Sequence, residues 1–292
     1  MKNKKLVAAG IIAGVLLTGV VPTFADSLQG AKIANNISTE SVATVVSGED
    51  SNFLVADMKL PSNTYILDKE IADVTGDGVN DIIYLIGHKG NTADRFADQL
   101  NIVVRNGATN NSEMTDLKKF GGYEGKLFVG DFSGDKVKDV MITAPTGGSG
   151  GIVGHMIVNF NAPEPTVIFG AKNNAGTQFT GKFVDGFKAE LVNQDTGRSI
   201  AIDLNAKKDM YVASQIYSKD GTLLKEVKPM IYPLSLLEPI DMDGDGTYEL
   251  RGSQSIKGAY GADTISHVDS FWKFENNQWV AKQIEVSSFL LY

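Results

Sequence analysis

The chain has 292 residues, with 35 acidic against 27 basic side chains, a net charge of −8, and no cysteine. An acidic surface repels phosphate backbones and anionic headgroups, which excludes nucleic acid and membrane surfaces as expected partners and favours divalent cations. Without disulfides, an exported chain must draw its stability from core packing, from bound metal or from both, and 42% hydrophobic residues suffice for a sizeable core.

The first residues read as an export signal. Lys2, Lys4 and Lys5 precede an uncharged apolar stretch from Leu6 to Val21, and the small residues Thr23 and Ala25 stand before Asp26. That is the three-part pattern of a cleavable secretory signal over residues 1–25. At roughly 16 residues the apolar run is shorter than a bilayer span, so no membrane span is expected after cleavage. Localisation is expected to be secreted, extracellular or at the cell surface, and loss of three lysines leaves the mature chain still more acidic. Residues 26–50 are polar and read as a flexible leader to a folded region over 51–292.

From residue 52 onward, short β-branched runs alternate with Gly, Asn and Asp, at 81–86, 100–105, 140–144, 152–160, 165–169 and 199–204. Such runs, broken by turn residues, predict many short antiparallel strands. Helical periodicity is scarce, and residues 91–100 read as a loop or a single turn. The expected class is all-β.

Three segments share one template: 73–82, 131–140 and 241–250. A degenerate copy at 181–191 has Lys182 in place of the first Asp and Val184 in place of Ser133. Four units of roughly 55 residues, each long enough for a four-stranded blade, predict a small β-propeller of four to five blades, the fifth built partly from residues 52–67.

The template carries a metal chemistry. Positions 1, 3, 5 and 9 are Asp73, Thr75, Asp77 and Asp81 in the first loop. They are Asp131, Ser133, Asp135 and Asp139 in the second, and Asp241, Asp243, Asp245 and Glu249 in the third. Alternate oxygen-bearing side chains in a tight turn converge on one point. The backbone carbonyl of position 7 (Val79, Val137, Thr247) can join them, which suits calcium. Glycine at positions 4 and 6 allows the positive φ of a sharp turn, except that Lys136 stands at position 6 of the second loop. The third loop is expected to bind most strongly, the second most weakly, and the degenerate copy not at all.

Residues 130–151, with Gly-Asp-Phe-Ser-Gly-Asp at their start and a Gly-rich end, resemble an FG-GAP repeat, the blade unit of integrin α-subunit propellers. They are also similar to VCBS-type repeats of bacterial secreted proteins. The resemblance implies blades whose loops bind calcium, in proteins of adhesion or ligand recognition.

Other constellations carry less. The Gly-rich stretch 147–154 lacks the Gly-Lys-Ser/Thr ending of a phosphate loop. His88, His155 and His267 are scattered and read as packed or surface histidines rather than zinc ligands. His267 with Asp263 and Asp269 has adjacency but no triad geometry. Residues 271–286 read as a closing hairpin turning at Asn276-Asn277, whose Trp272, Phe274 and Trp279 belong to the core. Tyr260 and Trp279 are the places to look for sugar contacts. The expected function is a secreted calcium-binding module without catalysis, whose partner is an extracellular protein, a glycan or the cell envelope. The alternative is a secreted calcium-dependent hydrolase or lyase acting on polysaccharide or phosphoester.

Overall fold

The computed structural model describes Leu60 and residues 63–288, together with two short strands nearer the N-terminus, β1 (Lys32–Ile33) and β2 (Val45–Val46). The proposed signal lies outside the described residues. Within the stretch read as a leader, β1 pairs with residues 240–241 and β2 with residues 64–65.

Four antiparallel sheets form the body. Sheet I has the order β2-β3-β4-β6-β7, with β3 (Thr64–Ala72), β4 (Asp81–His88), β6 (Gln99–Arg105) and β7 (Ser112–Thr115). A separate pair, β5 (Phe96–Ala97) and β8 (Gly122–Tyr123), lies beside it. Sheet II is β9 (Lys126–Gly130), β10 (Asp139–Pro145), β11 (Val153–Asn159) and β12 (Thr166–Phe169) in sequence order. Sheet III is β13 (Phe179–Val184), β14 (Lys188–Asn193) and β15 (Ser199–Asp203). Sheet IV places β1 beside β16 (Met230–Asp241), followed by β17 (Glu249–Lys257), β18 (Thr264–Glu275) and β19 (Gln278–Ser288). Two short helices complete the described elements, α1 (Ala171–Asn174) and α2 (Lys208–Ala213), the latter preceded by a 3-10 turn at Asn205–Lys207.

The period-two alternation of strand side chains assigns each face a partner. Val140 and Ile142 of β10 pack with Ile83, Leu85, Ile102 and Val104 of sheet I, whereas Met141 between them joins Leu234, Leu250 and Trp279 of sheet IV. Sheet III packs Phe183, Ala189, Leu191 and Ile202 against Ile256, Ile265 and Val268 of sheet IV, with Tyr211 of α2 and Tyr217 filling the interface. The core clusters therefore join sheets I to II, II to IV and IV to III, an order that departs from the chain order. Sheet II presents apolar side chains on both faces, which explains why its strands read as nearly continuous β-branched runs.

The all-β expectation holds at this level, with antiparallel sheets none of which is closed. Residues 91–100, read as a loop or a single turn, form turns followed by β5 and the start of β6. The aromatic hairpin also forms: Glu275 pairs with Gln278, and Asn276 and Asn277 take φ of 52° and 62°. Those values suit the primed two-residue turns that match strand twist. Trp279 is buried against Phe132, Phe169 and Phe274, so it offers no sugar platform.

The degenerate fourth copy has no cation loop. Lys182 lies in β13 opposite Glu190, and the strands continue to Val184 opposite Lys188 around a turn at residues 185–187. The segment that opens into an eight-residue loop in the other copies zips here into a short hairpin.

Candidate metal centre

The three acidic loops connect β3 to β4, β9 to β10 and β16 to β17, and they meet at one end of the molecule. Asp131 bridges to Thr247, and the Tyr248 N–H donates to the Asp131 carbonyl at 2.6 Å. A Cβ placed on Gly76 would stand 3.1 Å from Val137 and 2.7 Å from Asn161, so loops one and two touch as well.

Each loop is built by the same hydrogen bonds. The position-1 carboxylate accepts from the N–H groups of positions 4 and 6: Asp73 from Gly76 (2.7 Å) and Gly78 (2.9 Å), Asp131 from Gly134 (2.6 Å) and Lys136 (2.8 Å), Asp241 from Gly244 (2.8 Å) and Gly246 (3.2 Å). The position-5 carboxylate accepts from the N–H of position 7, at 2.8 Å for Asp77, 2.9 Å for Asp135 and 2.7 Å for Asp245. These Asx-type bonds are why Asp and Gly are needed at these spacings even before a ligand is considered. Lys136 pays for the geometry with φ of 71°, where glycine occupies the matching position in the other two loops.

The position-9 acids lie at the necks of the loops, and much of their hydrogen-bonding capacity goes to backbone amides. Asp81 is fully buried and accepts from the N–H groups of Val74 (2.9 Å), Thr75 (3.1 Å) and Gly107 (3.0 Å). Asp139, equally buried, accepts from Phe132 (2.8 Å) and Ser133 (2.9 Å) through Oδ2, while its Oδ1 has no hydrogen-bond partner. Burial lifts its carboxyl to about 6 against those bonds. Glu249 accepts from Met242 at 3.3 Å and pairs with the Lys273 ammonium at 2.9 Å.

What lies opposite the neck separates the loops. One residue beyond the Ile82–Arg105, Val140–Val158 and Leu250–Trp272 pairs stand Asn106, Asn159 and Lys273. Asn106 Nδ2 donates to Asp77 at 2.7 Å and to Thr75 Oγ1 at 3.0 Å. Its Oδ1 is held away by the N–H groups of Ala108 (3.1 Å) and Thr109 (2.7 Å). Asn159 Nδ2 does the same for Ser133 (3.2 Å) and Asp135 (3.2 Å), assisted by Asn161 Nδ2 at 3.1 Å. In both loops an amide donor stands between positions 3 and 5, where a cation would bridge them. The Asn106 bond holds Asp77 below the usual carboxylate range. For Asp135 burial works upward, but the Val137, Asn161, Asn159 and Ser133 bonds outweigh it.

In the third loop no such amide intervenes. One oxygen from each of Asp241, Asp243 and Asp245 lies within 4.8 Å of the others, Asp241 half-buried and the other two exposed. The Thr247 N–H bond keeps Asp245 below its ordinary value, and Lys273 is raised by its bond to Glu249. Three hard oxygen donors converging on an open turn match the chemistry of a calcium ligand set, with room for water to complete the shell. Asn106, Asn159 and Lys273 escaped the sequence reading because their place depends on strand register. The one available signal was their position at the end of the strand that follows each loop-bearing hairpin.

The curated relative YybI of Bacillus subtilis (strain 168) is 31% identical over 218 residues, covering 74% of this chain and 82% of the relative. The family described as the YybI C-terminal domain matches residues 177–287, which hold sheet III, both elements of the α2 region and most of sheet IV. No FG-GAP or VCBS family matches, so the resemblance drawn from residues 130–151 does not hold. A short Asp/Gly turn is dictated by local hydrogen bonding and arises on unrelated folds, so it is a weak marker of descent. On the strength of that similarity, the chain belongs to the YybI family.

Proposed function

We propose that the chain is an exported, calcium-stabilised β-sheet protein that binds a ligand outside the cell without catalysis. The observation that carries the reading is the convergence of Asp241, Asp243 and Asp245 on an exposed loop that no neighbouring amide closes. Calcium there would tie the β16–β17 loop, and through the Asp131–Thr247 bridge the adjoining loop of sheet II, into one rigid end. The first two loops keep their form by asparagine bridges and serve mainly as structural turns. A metal present at about tenfold over its dissociation constant adds about 1.4 kcal/mol to the folded state, so stability would rise on export into calcium-rich surroundings.

For the sheets, the four-to-five-blade propeller is one arrangement, and an open stack in the order I, II, IV, III is the other. The core clusters give the neighbour order I, II, IV, III, since sheet IV packs on sheet II around Leu250 and Trp272 and on sheet III around Ile256 and Val268. A thermal melt of residues 26–292 in chelator, in millimolar calcium and in magnesium tests the metal reading. A calcium-specific rise of several degrees supports it; equal melting in all three defeats it. The second reading, a calcium-dependent hydrolase or lyase, would show as turnover on polysaccharides or phosphoesters in the same preparation.

A further inference from the structure

The end of the molecule opposite the acidic loops carries a feature that the metal reading does not use. In the β5–β8 pair, Phe96 lies opposite Tyr123 and buried Ala97 opposite Gly122. The two rings are 41% and 40% exposed and meet edge to face at 5.0 Å. Their exposure is built in. The Asp98 N–H donates to the His88 carbonyl at 3.0 Å, the Glu124 N–H to the Arg95 carbonyl at 3.1 Å, and the Arg95 guanidinium grips Glu124 through two contacts of 2.7 Å. A strand pair held at both ends turns its aromatic side outward, although burying such rings would be favourable.

Beside the rings lies a cavity of about 350 Å³ lined by Lys89, Asp94, Arg95 and Asp98 as well as by Phe96 and Tyr123. That volume is within the range of about 300–1,000 Å³ usual for small-ligand sites. Lys89 is 7% exposed; its ammonium donates to the Thr92 carbonyl at 3.3 Å and lies 5.1 Å from the Tyr65 ring centre. An ammonium has three donors, so a buried lysine with one long hydrogen bond among the described residues has capacity left for a ligand oxygen. The cavity's charges are mixed, Lys89 and the Glu124-paired Arg95 beside Asp94 and Asp98, which gives an anion no net attraction. A neutral molecule rich in hydroxyls can instead donate to Asp94 and Asp98 and accept from Lys89.

We propose that this cavity binds a residue of a neutral, β-1,4-linked glycan. The axial C–H groups of a pyranose make an apolar face that packs on Phe96 or Tyr123, while its rim hydroxyls meet the charged groups. Equatorial linkages give a flat ribbon, which suits a shallow, open site flanked by the exposed Phe96 and Tyr123 rings. The Tyr123 ring lies against Gly147, the residue that opens the glycine-rich turn between β10 and β11. The proposal rests on the reading of the chain as a non-catalytic binding module, and it is independent of the metal site.

The test is calorimetric titration of residues 26–292 with cellohexaose and chitohexaose, with maltohexaose and hexagalacturonate as controls. At least one neutral β-1,4 hexamer is expected to bind, and the Phe96→Leu/Tyr123→Leu pair to weaken it by about tenfold or more. Leucine keeps the apolar volume, and an unchanged melting temperature and circular dichroism spectrum in chelator certify the variant's fold; single Asp94→Asn provides a second variant should the double one not fold. Binding together with cleavage of the hexamer would support the glycan site and overturn the non-catalytic reading. Absence of binding by both β-1,4 hexamers, equal or tighter binding by maltohexaose or hexagalacturonate, or unchanged binding in the variants would overturn the site.

Discussion

The third acidic loop and the first are nearly the same sequence and do different things. Both have Asp at positions 1 and 5, glycine at 4 and 6, and an acid at position 9 that receives a backbone amide. In the first, Asn106 reaches in from the neighbouring strand and joins Asp77 to Thr75. In the third, the corresponding residue is Lys273, which is drawn to Glu249 and leaves three aspartates facing one another. A ligand-like spacing is therefore only half of a metal site. The residue across the strand decides whether an amide closes the loop on itself, as Asn106 does, or leaves its carboxylates facing one another, as Lys273 does.

The comparison breaks most severely at position 9. Replacing Asp81 by alanine removes the acceptor of three backbone N–H groups, that of Val74 being fully buried, and should cost about 3 kcal/mol in calcium and chelator alike. Asp243→Ala removes an exposed carboxylate, and should leave the chelator melt almost unchanged while reducing the calcium shift. Denaturant unfolding of both variants with and without calcium measures the contrast.

Acid should weaken the protein by a route separate from calcium. His155 is buried, with Nδ1 3.1 Å from Thr143 Oγ1 and Nε2 without a partner, and desolvation lowers it to about 4. Its unfolded value lies near 6.5, so its contribution is fully present above that pH and is lost as pH falls toward 4, by about 3 kcal/mol at most. Buried Asp139, lifted to about 6, contributes a slope of opposite sign over the same window, so the histidine's share is read from urea unfolding of wild type against His155→Gln from pH 7 to pH 4 in chelator, where the variant should lose less stability on acidification.

A smaller change should convert the first loop into the third. Asn106→Asp retains the acceptor that holds Ala108 and Thr109 but replaces the amide donor facing Asp77 with a carboxylate. We expect a loss of about 1–2 kcal/mol in chelator, largely recovered in calcium, and a second bound ion by titration. The mildest change is Lys136→Gly, which relieves a non-glycine residue at positive φ and should stabilise by about 1 kcal/mol, seen as a higher melting temperature.

Much of this was legible in the sequence because it is local. The Asp and Gly positions predicted the turns, the β-branched runs predicted strands, and Asn276-Asn277 predicted the last hairpin. Position 9 was legible as an acid but not as a buried anchor, since spacing alone cannot distinguish a ligand from a carboxylate that captures backbone amides. Asn106, Asn159 and Lys273 depend on register between strands, and the sheet order I, II, IV, III depends on which apolar face meets which. The fourth copy misled for a related reason. Its Asp185-Gly186-Phe187 turn lets β13 and β14 zip together, and a template match over the same residues suggests a loop that never opens.

The central claim, one calcium held by Asp241, Asp243 and Asp245, is tested most directly by calorimetric calcium titration of the wild-type chain and an Asp243→Asn/Asp245→Asn variant. One principal site is expected in the wild type, with its loss in a variant whose chelator melt is unchanged. Three equivalent sites, or a principal site that survives in the variant, would contradict it.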